Sequence, residues 1–253
     1  MKKNVFQLLL AATLIWCGNL YAQNVTMGFK GGLSIPNLTA GGSETPFNAG
    51  YSPNLRAGGG IYEEFHINRK FSISVGAEYS TQGGIMDKSE TLTSDITSGT
   101  VYSDYKFESK LNYILVPVLA RFNWQKRKKS LLKFYAAFGP FAGYLLKATD
   151  IRSYRANYED EARTIFIDEM YSSEKMDIKD SLYKFNVGIE GLAGVSINLN
   201  KKHALFIEGG IDYGFLSINK VVAHGPDFSG AAVVTLGYAY TFQKQNRGRG
   251  WGR

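Results

Sequence analysis

Side chains able to do chemistry are few in this sequence, and their spacing is loose. Hydrolases and acyltransferases need a nucleophile or an activated water beside an ordered base. Of the three histidines, His66 and His203 fall at short turns, and only His224 has a suggestive neighbourhood, with Asp227 and Ser229 close behind it. Drawn as base, orienter and nucleophile, these three would make an acyl-transfer site; drawn as an ordinary loop, they are residue types that loops commonly carry. No metal-ligand cluster of recognisable spacing occurs. The carboxylates Glu78, Glu190, Glu208 and Asp212 could be paired as general acid and base, but each lies on the polar side of an alternating segment, where a buried charge network explains it better. Gly58-Gly59-Gly60 sits within a strand and does not precede a helix, so it cradles no phosphate. The reading is a protein without catalytic residues and without a cofactor.

The elements that hold these residues must be strands. Charged residues make up 20% of the 253, which leaves no room for a bundle of apolar helices of about 20 residues each. Aromatic residues reach 14% and glycines number 28, a combination suited to strands packed side by side. Residues 1–22 are read separately as a cleaved secretory signal: Lys2 and Lys3 start it, Phe6 to Trp16 form its apolar core, and Leu20-Tyr21-Ala22 offers the cleavage site. A lipoprotein signal anchored at Cys17 competes with this, opposed by bulky Trp16 where a small residue is needed. Loss of the signal removes the single cysteine, and with it disulfides and thiolate chemistry.

Period-two alternation then dominates. Phe71, Ile73, Val75, Ala77 and Tyr79 alternate with Ser72, Ser74, Gly76, Glu78 and Ser80; the stretches Phe185 to Leu199 and Leu205 to Phe215 repeat the pattern. Weaker versions occur at 25–35, 54–65 and 231–242, while 107–124 and 132–147 are strand-like in content with less evident alternation. Eight strands result, at about 25–35, 53–65, 70–84, 107–124, 132–147, 183–199, 203–218 and 230–242. Short turns (Asn68-Arg69-Lys70, Gln125 to Ser130, Asn200 to His203) alternate with long loops, the longest at 148–182. The turns are basic, with Lys126 to Lys129 among them, whereas residues 148–182 hold nine acidic and five basic residues, so the two ends differ in sign.

An even strand count, with short turns at one end and long loops at the other, predicts an all-β, eight-stranded antiparallel transmembrane β-barrel, an up-and-down meander over residues 23–242. The basic turns should face the periplasm and the acidic loops the medium. The odd, apolar faces should meet lipid, and Lys30, Arg56, Glu64, Glu78, Arg121, Glu190, Glu208 and Asp212 should fill the lumen. Eight strands enclose room only for side chains, so a salt-bridged plug is expected and free conduction is not. Pro117 and Pro140 lie within strands four and five; pairing across the turn near residue 127 sets 117 opposite about 138, which predicts a bulge or gap in the ladder.

The final strand, Thr235-Leu236-Gly237-Tyr238-Ala239-Tyr240-Thr241-Phe242, resembles the signal by which the outer-membrane insertion machinery handles its clients, with Gly237, Tyr240 and Phe242 at the defining places. That signal usually closes a chain, whereas residues 243–253 follow here as a basic periplasmic tail containing Arg247, Arg249 and Arg253. The Arg-Gly spacing imitates RNA-binding segments; in an exported protein it reads as a flexible tail or as a docking peptide for an acidic partner, and no nucleic acid is expected.

GAEYSTQGG (76–84), YILVPVLARF (113–122), FYAAFGPFAGYLL (134–146) and IEGGIDYGFLSI (207–218) resemble the PorT-like outer-membrane β-barrel family of Bacteroidota. The motif residues are Glu78-Tyr79-Ser80, Pro117 and Gly139-Pro140; Leu115 departs, standing where many members carry a lumen-facing Glu. The resemblance implies an eight-stranded barrel without catalytic residues and, for the family's namesake, a part in type IX protein secretion. The expected partners are outer-membrane lipid, the insertion machinery and other secretion-system components. Three rivals stand beside this: an adhesion barrel acting through 148–182, a small-solute pore, and an outer-leaflet enzyme using His224.

Overall fold

A computed structural model describes residues 24–40, 51–52, 54–94, 99–124, 131–160, 165–220 and 227–243. The signal segment 1–22, the turn at 125–130, His224, and the tail with Arg247, Arg249 and Arg253 lie outside the described residues. Ten strands follow in chain order: β1 (Asn24–Ala40), β2 (Tyr51–Ser52), β3 (Arg56–His66), β4 (Phe71–Ser94), β5 (Gly99–Trp124), β6 (Leu132–Asp160), β7 (Ile165–Asp177), β8 (Phe185–Asn198), β9 (His203–Gly214) and β10 (Asp227–Gln243). A 3-10 turn at Lys179–Ser181 separates β7 from β8.

Eight of these strands close a ring, each antiparallel to its neighbours: β1, β3, β4, β5, β6, β8, β9, β10 and back to β1. The meander and the count are those the alternation predicts. Following partners round the ring, Val25 leads through Phe65, Ile73, Ala120, Phe138, Gly191, Ile211 and Ala232 to Ile35, so the circuit closes with a stagger of ten residues along β1. At about 3.3 Å per residue and about 4.8 Å between strands, that stagger tilts the strands by roughly 40° and leaves an interior that side chains can fill.

The two faces separate as the alternation requires. Outward lie Phe29, Leu33, Ile61, Phe138, Phe185, Ile207, Ile211 and Leu236, all exposed, a band that only lipid can cover. Inward lie Thr26, Lys30, Ser34, Glu64, Ser72, Gln82, Glu190 and Glu208.

Three expectations are corrected. A tilted strand spans the bilayer in about 9–11 residues, yet β5 has 26 and β6 has 29. Their excess, with the far half of β4 and with β7, stands beyond the apolar band as a four-stranded sheet. Residues 148–182 are therefore largely a hairpin continuing β6, and not one long loop. Secondly, Pro117 pairs with Phe141, not with residue 138; paired residues lapse from there to Ala120–Phe138, and the bulge itself falls at Asn112/Tyr113. Thirdly, the inner face of β5 and β6 is apolar toward the loop end, which explains why alternation is faint there: Leu111, Tyr113, Leu115, Phe141 and Leu145 are buried while their outward neighbours are apolar as well.

Close packing also fixes particular glycines. A Cβ on Gly237 would overlap the Phe206 ring and lie 2.6 Å from the Phe29 carbonyl, so the last strand can dock on both neighbours only without a side chain there. Gly83, with φ of 126°, bends β4 where the sheet leaves the barrel, and a Cβ there would run into the Ser109 carbonyl.

Candidate functional site

The centre of the lumen is built from residues that seven different strands deliver. Lys30 (β1) places its ammonium 2.8 Å from Glu78 (β4) and 2.9 Å from Glu208 (β9). Glu208 accepts further hydrogen bonds from Tyr135 (β6) at 2.8 Å and Thr235 (β10) at 3.2 Å. The Arg121 (β5) guanidinium lies 3.5 Å over the Tyr135 ring and 3.2 Å from Glu64 (β3). Glu64 also accepts from Ser72 at 2.5 Å, and Ser72 accepts from Asn123 at 3.2 Å. Tyr135 therefore couples two ion-paired groups into one network. Removal from water is costly for each charge, and here it is offset by multiple short contacts to each carboxylate.

Toward the turn end, Thr26 hydrogen-bonds both His66 and Thr241 at 2.8 Å. Toward the loop end, Gln82 donates to Asp212 at 2.8 Å and Asn186 donates to Ser229 at 2.9 Å. A small cavity remains among Lys30, Tyr62, Glu78, Arg121, Tyr135 and Glu208.

The structure brings Lys30, Glu78 and Glu208 together, and Arg121 with Glu64. Glu190 and Asp212 point inward and are buried but lie outside these ion pairs; among the described residues Glu190 Oε2 has no hydrogen-bond partner. Arg56 belongs elsewhere, at the loop-end mouth, where it lies 2.7 Å from Glu108, which Lys110 also approaches at 3.0 Å and Asn54 at 3.1 Å. Burial pushes the Glu108 carboxyl up, but hydrogen bonds and charge from Lys110 and Arg56 outweigh it and hold the group below the usual carboxylate range. Gly237 packs under Phe206, and Tyr240 and Phe242 pack edge to face outside, their rings 4.8 Å apart. Of the grouping drawn around His224, Ser229 is fully buried against Asn186 and Asp227 accepts from Asn219 at 2.6 Å, so both serve structural bonds.

Sequence reasoning missed Tyr135, whose odd-numbered place on β6 is the inward one, and it missed the apolar group at the loop end. There Leu182 and Ile218 descend from the connecting segments onto Leu111, Tyr113, Leu115, Phe141, Leu145 and Ala148. Backbone bonds fasten those segments: Tyr183 N–H to Ile218 O at 2.9 Å, Ile218 N–H to Asp227 O at 2.8 Å, and Leu145 N–H to Lys184 O at 2.8 Å. The mouth on the β5–β6 side is thus sealed by a small hydrophobic core, while at mid-height the charged network fills the lumen together with the smaller apolar groups Tyr62–Phe206–Ala239 and Leu119–Ala137–Leu192.

Residues 21–220 match the family model described as "Outer membrane protein beta-barrel domain". Among solved structures, the chain is similar to Neisserial surface protein A, with 14% identity, 87% of this chain and 97% of that chain covered, and a TM-score of 0.40. It is similar to OprG of Pseudomonas aeruginosa, with 11% identity, coverage of 87% and 96%, and a TM-score of 0.41. It is also similar to Ail, the attachment invasion locus protein of Yersinia pestis, with 13% identity, coverage of 86% and 98%, and a TM-score of 0.32. No curated protein matches the sequence.

Proposed function

Because this chain belongs to the outer membrane protein β-barrel domain family and resides in the outer membrane, we propose that it is a non-enzymatic, non-conducting barrel serving protein secretion as an accessory component. The observation that carries the reading is the meeting of Glu78 and Pro117, two of the residues that resemble the PorT-like family, at the centre of the lumen, while Tyr79 and Pro140 face outward. Glu78 and Pro117 line one cavity, and Gly139 lets β6 lie close against β5, since a Cβ there would overlap the Val118 carbonyl. A stretch of weakened ladder beside the central ion pairs is a place for docking or assembly, and the filled lumen argues against solute flow. Asp227 and Ser229 are engaged in structural hydrogen bonds, which argues against an acyl-transfer role with His224.

In this reading residues 1–22 direct export and are removed. Gly237, Tyr240 and Phe242 present the last strand to the insertion machinery, and the turn end, with Arg69, Lys70, Lys201 and Lys202, faces the periplasm together with the basic tail 243–253. The long-strand end then faces the medium. A second reading, adhesion to an external partner, is favoured by the four-stranded sheet that β4 to β7 raise beyond the apolar band.

Deleting the gene and following exported proteins separates the two. Cargo retained in the periplasm is the outcome expected for secretion; normal export with loss of surface binding would replace that reading with adhesion. Planar-bilayer recordings of the purified chain should show no steady conductance, and a stable open level would instead favour a solute pore.

A further inference from the structure

At the loop end the outward apolar band finishes in Tyr144, Leu146, Tyr183, Phe185, Phe215 and Leu216, all exposed, with the Tyr144 and Phe185 rings 5.2 Å apart. At this rim stand four lysines. Lys147 is exposed on β6 directly after Leu146. Lys179 sets its ammonium 2.5 Å from the Leu146 carbonyl and 5.9 Å from the Tyr144 ring. Lys220 reaches the Asp180 carbonyl at 2.5 Å, and Lys184 lies 3.4 Å from the Asp180 carboxylate. Carbonyl partners position an ammonium without neutralising it. Asp177, Asp180 and Asp227 are acidic residues of the patch; Asp177 accepts the Lys179 backbone N–H at 3.0 Å, the Asp180 carboxylate is 97% exposed, and Asp227 accepts from Asn219 at 2.6 Å. Four cations against three carboxylates leave the rim with a small positive excess.

The patch is also rigid. Its 3-10 turn is anchored by Leu182 and Ile218 in the apolar core, by the Leu182–Asn219 bridge and by Lys220 N–H to Ser181 O at 3.3 Å. Ammonium groups held at fixed places just above exposed aromatic rings are what a phosphate on a membrane lipid needs: acyl chains lie along the rings, and the phosphate meets the lysines. The acidic composition of 148–182 as a whole makes this basic rim the exception at its end of the barrel.

We infer that Lys147, Lys179, Lys184 and Lys220 form a binding site for the phosphorylated head group of an outer-leaflet saccharolipid. The site rests on the topology given above, in which the long-strand end faces outward. It would hold the barrel at a fixed depth and keep a lipid against the β6–β8–β9 wall.

The test uses the full chain, purified in detergent, with diphosphorylated lipid A as the probe and native mass spectrometry or retention through gel filtration as the readout. The chain should retain diphosphorylated lipid A at least about tenfold better than lipid A stripped of its phosphates. Each lysine near an anionic surface is expected to contribute about fivefold, so Lys147→Gln/Lys179→Gln/Lys220→Gln should lower retention by about a hundredfold. Gel mobility before and after boiling shows that the variant remains folded. Inorganic phosphate, tried as a competitor, should displace the lipid only weakly; displacement at equal concentration would overturn the lipid assignment in favour of a free-anion site. Equal retention of the dephosphorylated lipid, or unchanged retention by the folded triple variant, would overturn the site. Orientation is read separately, from Ser173→Cys and a membrane-impermeant maleimide on intact cells. Labelling there supports the topology; labelling only after permeabilisation would overturn the topology and the lipid assignment with it.

Discussion

The lumen is closed in two ways that differ in physics. From the turn end to mid-height, Lys30, Arg121, Glu64, Glu78 and Glu208 close it with charges whose partners come from different strands. On the β5–β6 side of the loop end, Leu111, Tyr113, Leu115, Phe141 and Leu145 close it with apolar contact, completed by Leu182 and Ile218. A buried ion pair contributes little net stability compared with apolar packing of similar volume, but loss of one partner is heavily penalised. The charged half therefore enforces one register around the ring, since a one-residue slip would turn Lys30 into lipid and strand its carboxylates. The apolar half tolerates imprecision and supplies cohesion.

The largest break in this contrast comes from Lys30→Met. One residue leaves both Glu78 and Glu208 without their shared cation, and breaking a single buried pair already costs about 3–5 kcal/mol. The unfolding midpoint in urea, measured in lipid vesicles by the gel shift, should fall accordingly. Replacing Glu208 as well, with Leu, should recover part of the loss, giving a coupling energy between the two sites. Leu145→Ala, at a fully buried position of the apolar half, should cost less, toward the lower end of the roughly 2–5 kcal/mol for such truncations. The remaining side chains of the group, Leu111, Tyr113, Leu115 and Phe141, keep their mutual contacts when Leu145 is shortened. Conductance sharpens the contrast further: Leu182→Ala/Ile218→Ala should remain closed because the charged half still blocks the bore, and openings should appear only when Lys30→Ala is added.

How legible all this was in the sequence follows the same division. Strands with unlike faces announce themselves, so Phe71 to Gln82 and Phe185 to Leu199 could be read as barrel wall, and the same parity argument that put Ile73 and Phe185 outward put Lys30, Glu64, Glu208 and Asp212 inward. Strands with like faces do not: β5 and β6 are apolar on both sides near the loop end, so the period fades and Leu115 looks like any strand residue. Partners were less readable than faces. That Lys30 meets Glu78 and Glu208, while Arg56 leaves the lumen group for Glu108, depends on the ten-residue stagger of the ring, which no single strand records. The extent of the projecting sheet was missed although Ser153, Arg155, Asn157 and Glu159 alternate there with Tyr154, Ala156 and Tyr158, a short period-two run that the charged residues around it obscure.

The smallest expected effect lies outside both halves and measures what an ion pair is worth once water reaches it. Glu108, with Arg56 and Lys110, sits above the apolar band where β5 enters the projecting sheet. Its carboxyl is held below its unfolded value, so the pairing stabilises the fold above the unfolded pKa and is lost as pH falls through the lower, folded one. Protection against hydrogen exchange in the 104–112 stretch, taken relative to the intrinsic rate at each pH, should therefore fall as the pH is taken below about 4, the ordinary range for a glutamate, while the turn-end half stays protected. Glu108→Gln should bring that lower protection to neutral pH and abolish its acid dependence, at a cost of about 1 kcal/mol for a mouth-end pair whose side chains are 13% and 17% exposed. If Glu108→Gln instead destabilised the barrel as much as Lys30→Met, the mouth would have to be counted as part of the charged interior, and the division between an enforcing half and a cohesive half would need a third term.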